Sequence, residues 1–200
     1  MEIIISETEK LLDDEGIGNE NNRALYLNNK AMLPNNRNEK LAHSISLINK
    51  ALSMCDEKSN PVLFANINMN LGILYIDNKE TERGLEFMDK AYLFIKLCRA
   101  YNDDFITIAR NYAVTLSENE RVNKALEVLT ECEFATEGCS SNNHAALLFD
   151  LGAAYILSGN YPLAVKKYSL VFAEYFALGC YDELSARKIA AAKQMQYHNN

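Results

Sequence analysis

Two asparagines and an arginine in the middle of the chain have the side chains best suited to binding chemistry. Asn66 and Asn70 are four residues apart, so a helix places them one above the other on a single face. A side-chain amide both donates and accepts hydrogen bonds, which suits it to the backbone of an extended peptide. Arg110, beside Asn111, offers a bidentate contact to a carboxylate. The alternative is a solvated polar face, because asparagine is frequent along the whole chain.

Histidine and cysteine do not form a recognisable metal or catalytic motif. The histidines lie in separate predicted elements, and no cysteine stands at ligand spacing from a histidine. Cys132 falls at a small-residue packing position, which favours a buried and inert thiol. No constellation supplies a nucleophile, a base and an orienting group. The sequence therefore predicts a protein that is not an enzyme and that uses no cofactor or metal. The residues concerned are His43, His144, His198, Cys55, Cys98, Cys132, Cys139 and Cys180.

Composition limits the classes of partner. The chain has 200 residues, 48% of them hydrophobic, and a net charge of −7, which suits one domain or one array of repeats. Its basic residues are dispersed, so a nucleic-acid surface is not expected. No apolar run is long enough to span a membrane, and no signal peptide is recognisable. Five cysteines without a C-x-x-C pair favour a reducing, cytoplasmic location.

Apolar residues recur with helical periodicity along nearly the whole chain, and no useful stretch alternates with the two-residue period of a strand. We expect residues 1–22 to form an N-terminal segment with a short helix over 3–15 and a loop. Residues 23–197 are expected to form one array of about four helix pairs and a capping helix. The helices are predicted over 23–33, 39–55, 60–77, 80–100, 103–117, 120–136, 143–157, 161–178 and 182–197.

An internal repeat connects these helices. The stretch from Leu71 to Tyr92 has a pattern of small and large residues that returns twice, about 40 residues later each time. A small residue in the first helix of each pair would let the two helices approach closely, and a large residue in the second would fill the space beside it. The three sets are Leu71, Gly72, Tyr75, Gly84, Met88 and Ala91, then Tyr112, Ala113, Leu116, Ala125, Leu129 and Cys132, then Leu151, Gly152, Tyr155, Ala164, Tyr168 and Val171.

This pattern resembles that of tetratricopeptide repeats (TPRs) over about residues 23–197, and the segment SGNYPLAVKKY from Ser158 is the part most similar to the motif. The resemblance implies an all-α fold, an α-solenoid of stacked antiparallel helix pairs in a right-handed superhelix. The early aromatic residue and the closing proline of the motif are absent, and the period of about 40 residues exceeds the usual 34 or so. In its period the chain is similar to kinesin light chains and to Rap-type bacterial regulators that sense short peptides.

The resemblance also implies that the first helix of each pair lines a concave groove. On the second pair the free side of that helix is expected to hold Asn66, Met69, Asn70, Ile73, Ile76 and Asp77. On the third it holds Thr107, Arg110, Asn111, Val114 and Glu118, and on the fourth Ala146, Phe149, Asp150, Ala153 and Leu157. From these we select as predicted binding residues Asn66, Asn70, Ile73, Arg110, Asn111, Phe149 and Asp150.

The predicted function is that of a non-catalytic adaptor with a protein or peptide ligand in this groove. A carboxylate clamp for chaperone C-termini is not expected, because Met69, Ile73, Thr107 and Val114 occupy much of the space that basic residues would need. Two alternatives stay open, a peptide-responsive regulator and a secretion-type chaperone that keeps a partner soluble. A homodimer through the aromatic run YSLVFAEYF, from Tyr168, also stays open.

Overall fold

Helix is the one type of regular secondary structure in the part of the chain that the structure describes. The computed structural model describes residues 19–33, 40–99, 102–137, 142–177 and 183–198. Within these ranges it has nine helices and no strand. The helix predicted over 3–15 lies outside the described residues. The chain divides into two compact units, residues 1–100 and 101–200, and the single array over 23–197 stays a prediction.

The first unit contains two helix pairs. Its helices are α1 (Glu20–Ala31), α2 (Leu41–Met54), α3 (Pro61–Asp77) and α4 (Thr81–Leu97). Helix α1 packs on α2 and α3 on α4, while α2 also contacts α3. Since only three residues separate α3 from α4, the two helices run antiparallel. One apolar cluster, which includes Ala24, Ile48, Ile67 and Leu71, holds the pairs together.

Helix α3 begins where the sequence predicts. The Asn60 side chain accepts a hydrogen bond from the Leu63 backbone N–H at 3.1 Å, and Pro61 occupies the first helical position, where its missing N–H costs nothing. Ten residues of this helix are buried. A helix that is apolar on all sides must be covered on all sides, and α3 contacts α1, α2 and α4.

Two glycines set the close approach of α3 and α4. A Cβ atom built on Gly72 would lie 2.6 Å from Met88 Cγ and 2.7 Å from the Gly84 carbonyl oxygen. One on Gly84 would lie 2.7 Å from the Gly72 carbonyl oxygen. The two backbones therefore touch at a point that has no room for a side chain. The predicted role of these small residues is confirmed.

The second unit contains two further pairs and a last helix. Its helices are α5 (Asp103–Glu118), α6 (Val122–Ala135), α7 (Asn142–Leu157), α8 (Tyr161–Ala177) and α9 (Glu183–His198). Helix α7 packs on α5, α6 and α8. Gly152 faces the Tyr168 ring, whose nearest atom would be 2.7 Å from an added Cβ. Helix α9 packs on α8 through the fully buried Ala192, as predicted for a capping helix.

The turn between the two helices of a pair has the same geometry in three of the pairs. The backbone N–H groups of Glu80, Arg121 and Asn160 donate to carbonyls five residues earlier, at 2.9, 2.8 and 2.8 Å. In each turn the preceding residue has a positive φ: 66° for Lys79, 61° for Glu120 and 76° for Gly159. This hydrogen bond and the left-handed residue together form a Schellman motif. The sequence repeat is thus a repeat of backbone conformation as well.

Some sequence-based expectations need correction. Met69 was expected on the free side of α3, but it is only 2% exposed, because α3 is covered by three helices. Helix α1 begins at Glu20 rather than residue 23, since Asn19 caps it by accepting from the Asn22 N–H. Helix α4 ends at Leu97 rather than residue 100, and Arg99 then adopts a φ of 51°.

Candidate peptide-binding surface

In the first unit the predicted asparagines lie together on α3, but one of them already has a partner. Asn66, Asn70 and Ile73 are all partly buried. Asn70 Nδ2 donates to Asn28 Oδ1 on α1 at 3.0 Å, and Asn28 is only 4% exposed. The Asn70 amide therefore connects α1 to α3 and is not a free group awaiting a ligand. A binding role for Asn66 and Ile73 stays a prediction.

In the second unit Arg110 and Asp150 form an ion pair. Arg110 Nε donates to Asp150 Oδ2 at 2.7 Å, and the two side chains are 28% and 15% exposed. Arg110 was expected to receive a ligand carboxylate, but Asp150 of the same chain already contacts it. The pair joins α5 to α7, the first helices of consecutive pairs. Asn111, the neighbour of Arg110, is exposed.

Burial shifts the pKa values of three groups at or near this ion pair. Burial raises the pKa of Asp150 above its usual value, and the Arg110 guanidinium opposes that rise. Burial, with the Asp150 charge as a second cause, raises the pKa of Tyr168 to about 12. Burial also raises the pKa of Cys132 to about 12, as expected for an inert thiol. Asp150 therefore interacts electrostatically with Arg110 on α5 and with Tyr168 on α8.

Phe149 belongs more to the core than to a groove. Its ring meets the Tyr168 ring edge to face, with centroids 5.2 Å apart. It packs against the buried cluster of Ala164, Tyr168 and Ala192. Phe149 was selected as a residue of the free side, and it is partly buried. Its ring therefore supports α7 against α8, and its contact with a ligand stays a prediction.

A cavity of about 350 Å³ opens between α5 and α7. Its walls are mainly small or aliphatic side chains, with Val114 and Leu157 exposed at 41% and 59%. Polar groups are few, and two of them are the carboxylates of Glu118 and Asp150. The lining residues are Ala113, Val114, Ser117, Glu118, Leu129, Asp150, Ala153, Ala154 and Leu157. An apolar pocket with few convergent polar groups is the usual form of a binding site.

A second cavity, of about 250 Å³, is lined by residues of α7, α8 and α9. Ala153 and Leu157 line both cavities. Lys188 and Met195 of α9 contribute to the second, together with Ile156, Tyr168 and Ala191. The two cavities form one surface, which we call the α7 surface, along the faces of α5, α7 and α9.

The sequence had identified part of this surface. Val114, Glu118, Ala153 and Leu157 were all expected on the free side of their helices, but of the lining residues only Asp150 was selected for the site. The predicted binding residues are mainly amides, charged groups and an aromatic ring, whereas small residues make the space here. Lys188 and Met195 were missed, because α9 was considered only as a cap.

No group of three or more metal-ligating side chains occurs among the described residues. In the same part of the chain, none of the helices is both long and apolar enough to cross a membrane.

The fold matches solved repeat proteins at low sequence identity. The nearly identical TPR-like repeats assigned to a kinesin light chain of Podosopora anserina superpose with a TM-score of 0.71 at 16% identity, over 88% of each chain. Apo RapI superposes with a TM-score of 0.70 at 15% identity, over 98% of this chain and 75% of RapI. BtubC from P. vanneervenii superposes with a TM-score of 0.64 at 18% identity, over 98% of this chain and 88% of BtubC. This chain has a TPR-type repeat fold.

No family model matches the sequence, and no curated protein matches it. The TPR-type assignment therefore depends on the structures and on the small-residue repeat described above. Within the TPR-type fold α5 and α7 are first helices of their pairs. The cavity between them lies on the side where ligand contact was predicted.

Proposed function

We propose that this TPR-type protein is a non-catalytic adaptor that binds a peptide segment of a partner protein on the α7 surface. The observation that carries the proposal is the pair of adjoining apolar cavities, of about 350 and 250 Å³, within one folded unit. Exposed Val114 and Leu157 border the larger one. Covering such surface would release the water in contact with it, which favours binding.

The predicted binding residues have different parts in this proposal. Asp150 lines the larger cavity, and Arg110 holds the Asp150 carboxylate in place. Asn111 is exposed on α5 and is available to a bound segment. Asn66, Asn70 and Ile73 belong to the first unit, and any contact of theirs with a ligand is a separate prediction.

The proposal is tested by filling the larger cavity. Ala153→Arg places a long side chain at a position that lines both cavities, while Ser169→Arg makes a related change at an exposed position of α8. Phage-displayed random dodecapeptides are selected against the wild-type protein, and the affinities of the selected peptides are then measured for all three proteins. We expect binding to fall at least tenfold for Ala153→Arg and to be unchanged for Ser169→Arg. Equal binding by all three would contradict the site.

The consequence of binding, the location of the protein and its oligomeric state are parts of the same proposal. A peptide-responsive regulator and a secretion-type chaperone would use the same surface and differ in the consequence of binding. A cytoplasmic location is part of the proposal and accords with an exposed, free Cys98.

A homodimer would use the aromatic edge of α8, where Phe176 is 68% exposed and stacks on Phe172. Sedimentation of the wild type and of Phe176→Ser measures that association.

A further inference from the structure

The walls of the larger cavity combine an apolar surface with negative charge. Nine residues line it, and seven of them are uncharged: Ala113, Val114, Ser117, Leu129, Ala153, Ala154 and Leu157. The other two are the acidic residues Glu118 and Asp150. Among the described residues that line it, none is basic. Arg110 on α5 bonds Oδ2 of Asp150 and offsets part of its charge, whereas Glu118 is exposed at the edge of the cavity. The cavity thus offers aliphatic contacts and carboxylate oxygens together.

Helix ends add to this negative potential. Glu118 is the last residue of α5, and Leu157 is the last residue of α7. Both of these C-terminal turns line the cavity. A helix C-terminus carries about half a negative charge, so cations are stabilised beside it. Two helix C-termini with the same sign of partial charge therefore lie at the edge of this cavity, in addition to the two carboxylates.

From this arrangement we infer that the larger cavity selects a lysine or arginine side chain of the partner segment. The inference rests on the proposed function and names the chemistry that the site recognises. The aliphatic stem lies against Val114, Ala153 and Leu157, because long basic side chains bury their methylene groups along apolar surface. The charged head reaches the carboxylates of Glu118 and Asp150. A neutral side chain of the same length would lose the contact with the carboxylates, and an acidic one would be repelled by them.

The smaller cavity differs from the larger one in the charge of its lining residues. It shares Ala153 and Leu157 with the larger cavity but is lined by Lys188 and contains no carboxylate among its described lining residues. The surface is therefore negative on the α5 side and positive on the α9 side. An apolar residue next to the basic one fits the smaller cavity, with an acidic group or a C-terminal carboxylate beside Lys188.

Charge reversal at Glu118 tests the inference. Glu118 is exposed at the end of α5, so Glu118→Lys should leave the fold intact. Glu127→Lys, at an exposed position of α6 outside both cavities, makes the same change of charge as a control. Random dodecapeptides are selected separately against the wild type and against each variant.

We expect lysine and arginine to be enriched in peptides that bind the wild type and Glu127→Lys, and to lose that enrichment with Glu118→Lys. A wild-type peptide should bind Glu118→Lys about three- to fivefold more weakly, since the carboxylate is exposed and partly screened. Its affinity should also fall between low and high salt. These results together would support the inference.

Two other outcomes are distinguishable. Peptides that lose affinity with Ala153→Arg but show no basic preference would leave the proposed function standing and would overturn the inference. Failure to select any peptide whose binding depends on Ala153 would overturn the proposed function, and the inference with it.

Discussion

Asp150 is the residue at which burial and charge compete most directly. Burial raises its pKa, while Arg110, bonded to it at 2.7 Å, lowers it. Because burial is the larger effect, the folded protein holds this proton more tightly than the unfolded chain does. The contribution of Asp150 to stability is therefore greatest at low pH and decreases as pH rises from about the usual 3.8 through the raised folded pKa.

This sign leads to a pH prediction. In the wild type the carboxyl resonance of Asp150, followed by NMR, should titrate above the usual 3.8. Arg110→Gln removes the cation that opposes the rise, so the pKa of Asp150 should move further up. The stability of the wild type relative to Asp150→Asn should decrease across the same pH interval. A pKa at or below 3.8 would show that the ion pair outweighs burial.

Leu151 tests the placement of the core in the second unit. The residue is fully buried on α7, so Leu151→Ala removes apolar contacts and leaves a cavity. We expect the free energy of unfolding to fall by about 2–5 kcal/mol. Leu170, which is 41% exposed on α8, is the control, and Leu170→Ala should change stability by less than about 1 kcal/mol. Urea unfolding of both variants measures the difference, and a negligible loss for Leu151→Ala would contradict the assignment.

At the scale of elements, the helix pairs depend on turns that only some residues adopt easily. Lys79 and Glu120 have positive φ at the positions equivalent to Gly159, although a left-handed conformation costs a residue with a Cβ about 1–2 kcal/mol. The turn is kept because its hydrogen bonds to Tyr75 and Leu116 carbonyls end α3 and α5. Two of the three turns therefore carry local backbone strain.

Exchanging glycine and non-glycine residues tests this strain. Glu120→Gly should raise the free energy of unfolding by about 0.5–1 kcal/mol, since part of the gain is lost to the greater freedom of glycine in the unfolded chain. Gly159→Ala should lower it by about 1 kcal/mol. A Cβ at Gly159 would meet no atom within 4 Å, so any loss is conformational rather than steric. A melting temperature that falls for Glu120→Gly and rises for Gly159→Ala would contradict the turn geometry.

At the scale of the whole molecule, each helix is stabilised mainly by its neighbours, as in repeat proteins generally. Helix α7 contacts α5, α6 and α8, whereas α9 packs on α8. The described residues of α9 bury only Ser185 and Ala192 fully. Stability should therefore be lower at α9 than at the centre of the second unit.

Hydrogen exchange measures this gradient directly. The backbone amides of α9 should exchange at least tenfold faster than those of α7, because fewer contacts must break to open α9. Ala192→Gly weakens the packing of α9 and should therefore raise the exchange rate in α9 much more than in α6. Mass spectrometry of the exchanged protein measures both rates. Equal protection of α7 and α9 would show that the unit opens as a whole.

Much of the architecture could be predicted from the sequence, because the signals are local. Asn60 and Pro61 specify the start of α3, and the cap and its hydrogen-bond partner Leu63 lie within four consecutive residues. Gly72, Gly84 and Gly152 specify where helices approach closely, and their spacing gives the repeat. The site could be predicted only partly, because a small residue that lines a cavity, such as Ala153, has the same local sequence signal as one that lets two helices pack closely.

The sequence by itself therefore determined an all-α chain of TPR-type helix pairs, since helical periodicity, caps and small-residue spacing act between near neighbours. Only the tertiary structure decided which side chains remain available. Arg110 and Asp150 are 40 residues apart and pair because α5 packs beside α7. Met69 is buried and Glu118 lines a cavity for similar reasons. The exposure of a helix face depends on every helix packed against it, and no single stretch of sequence contains that information.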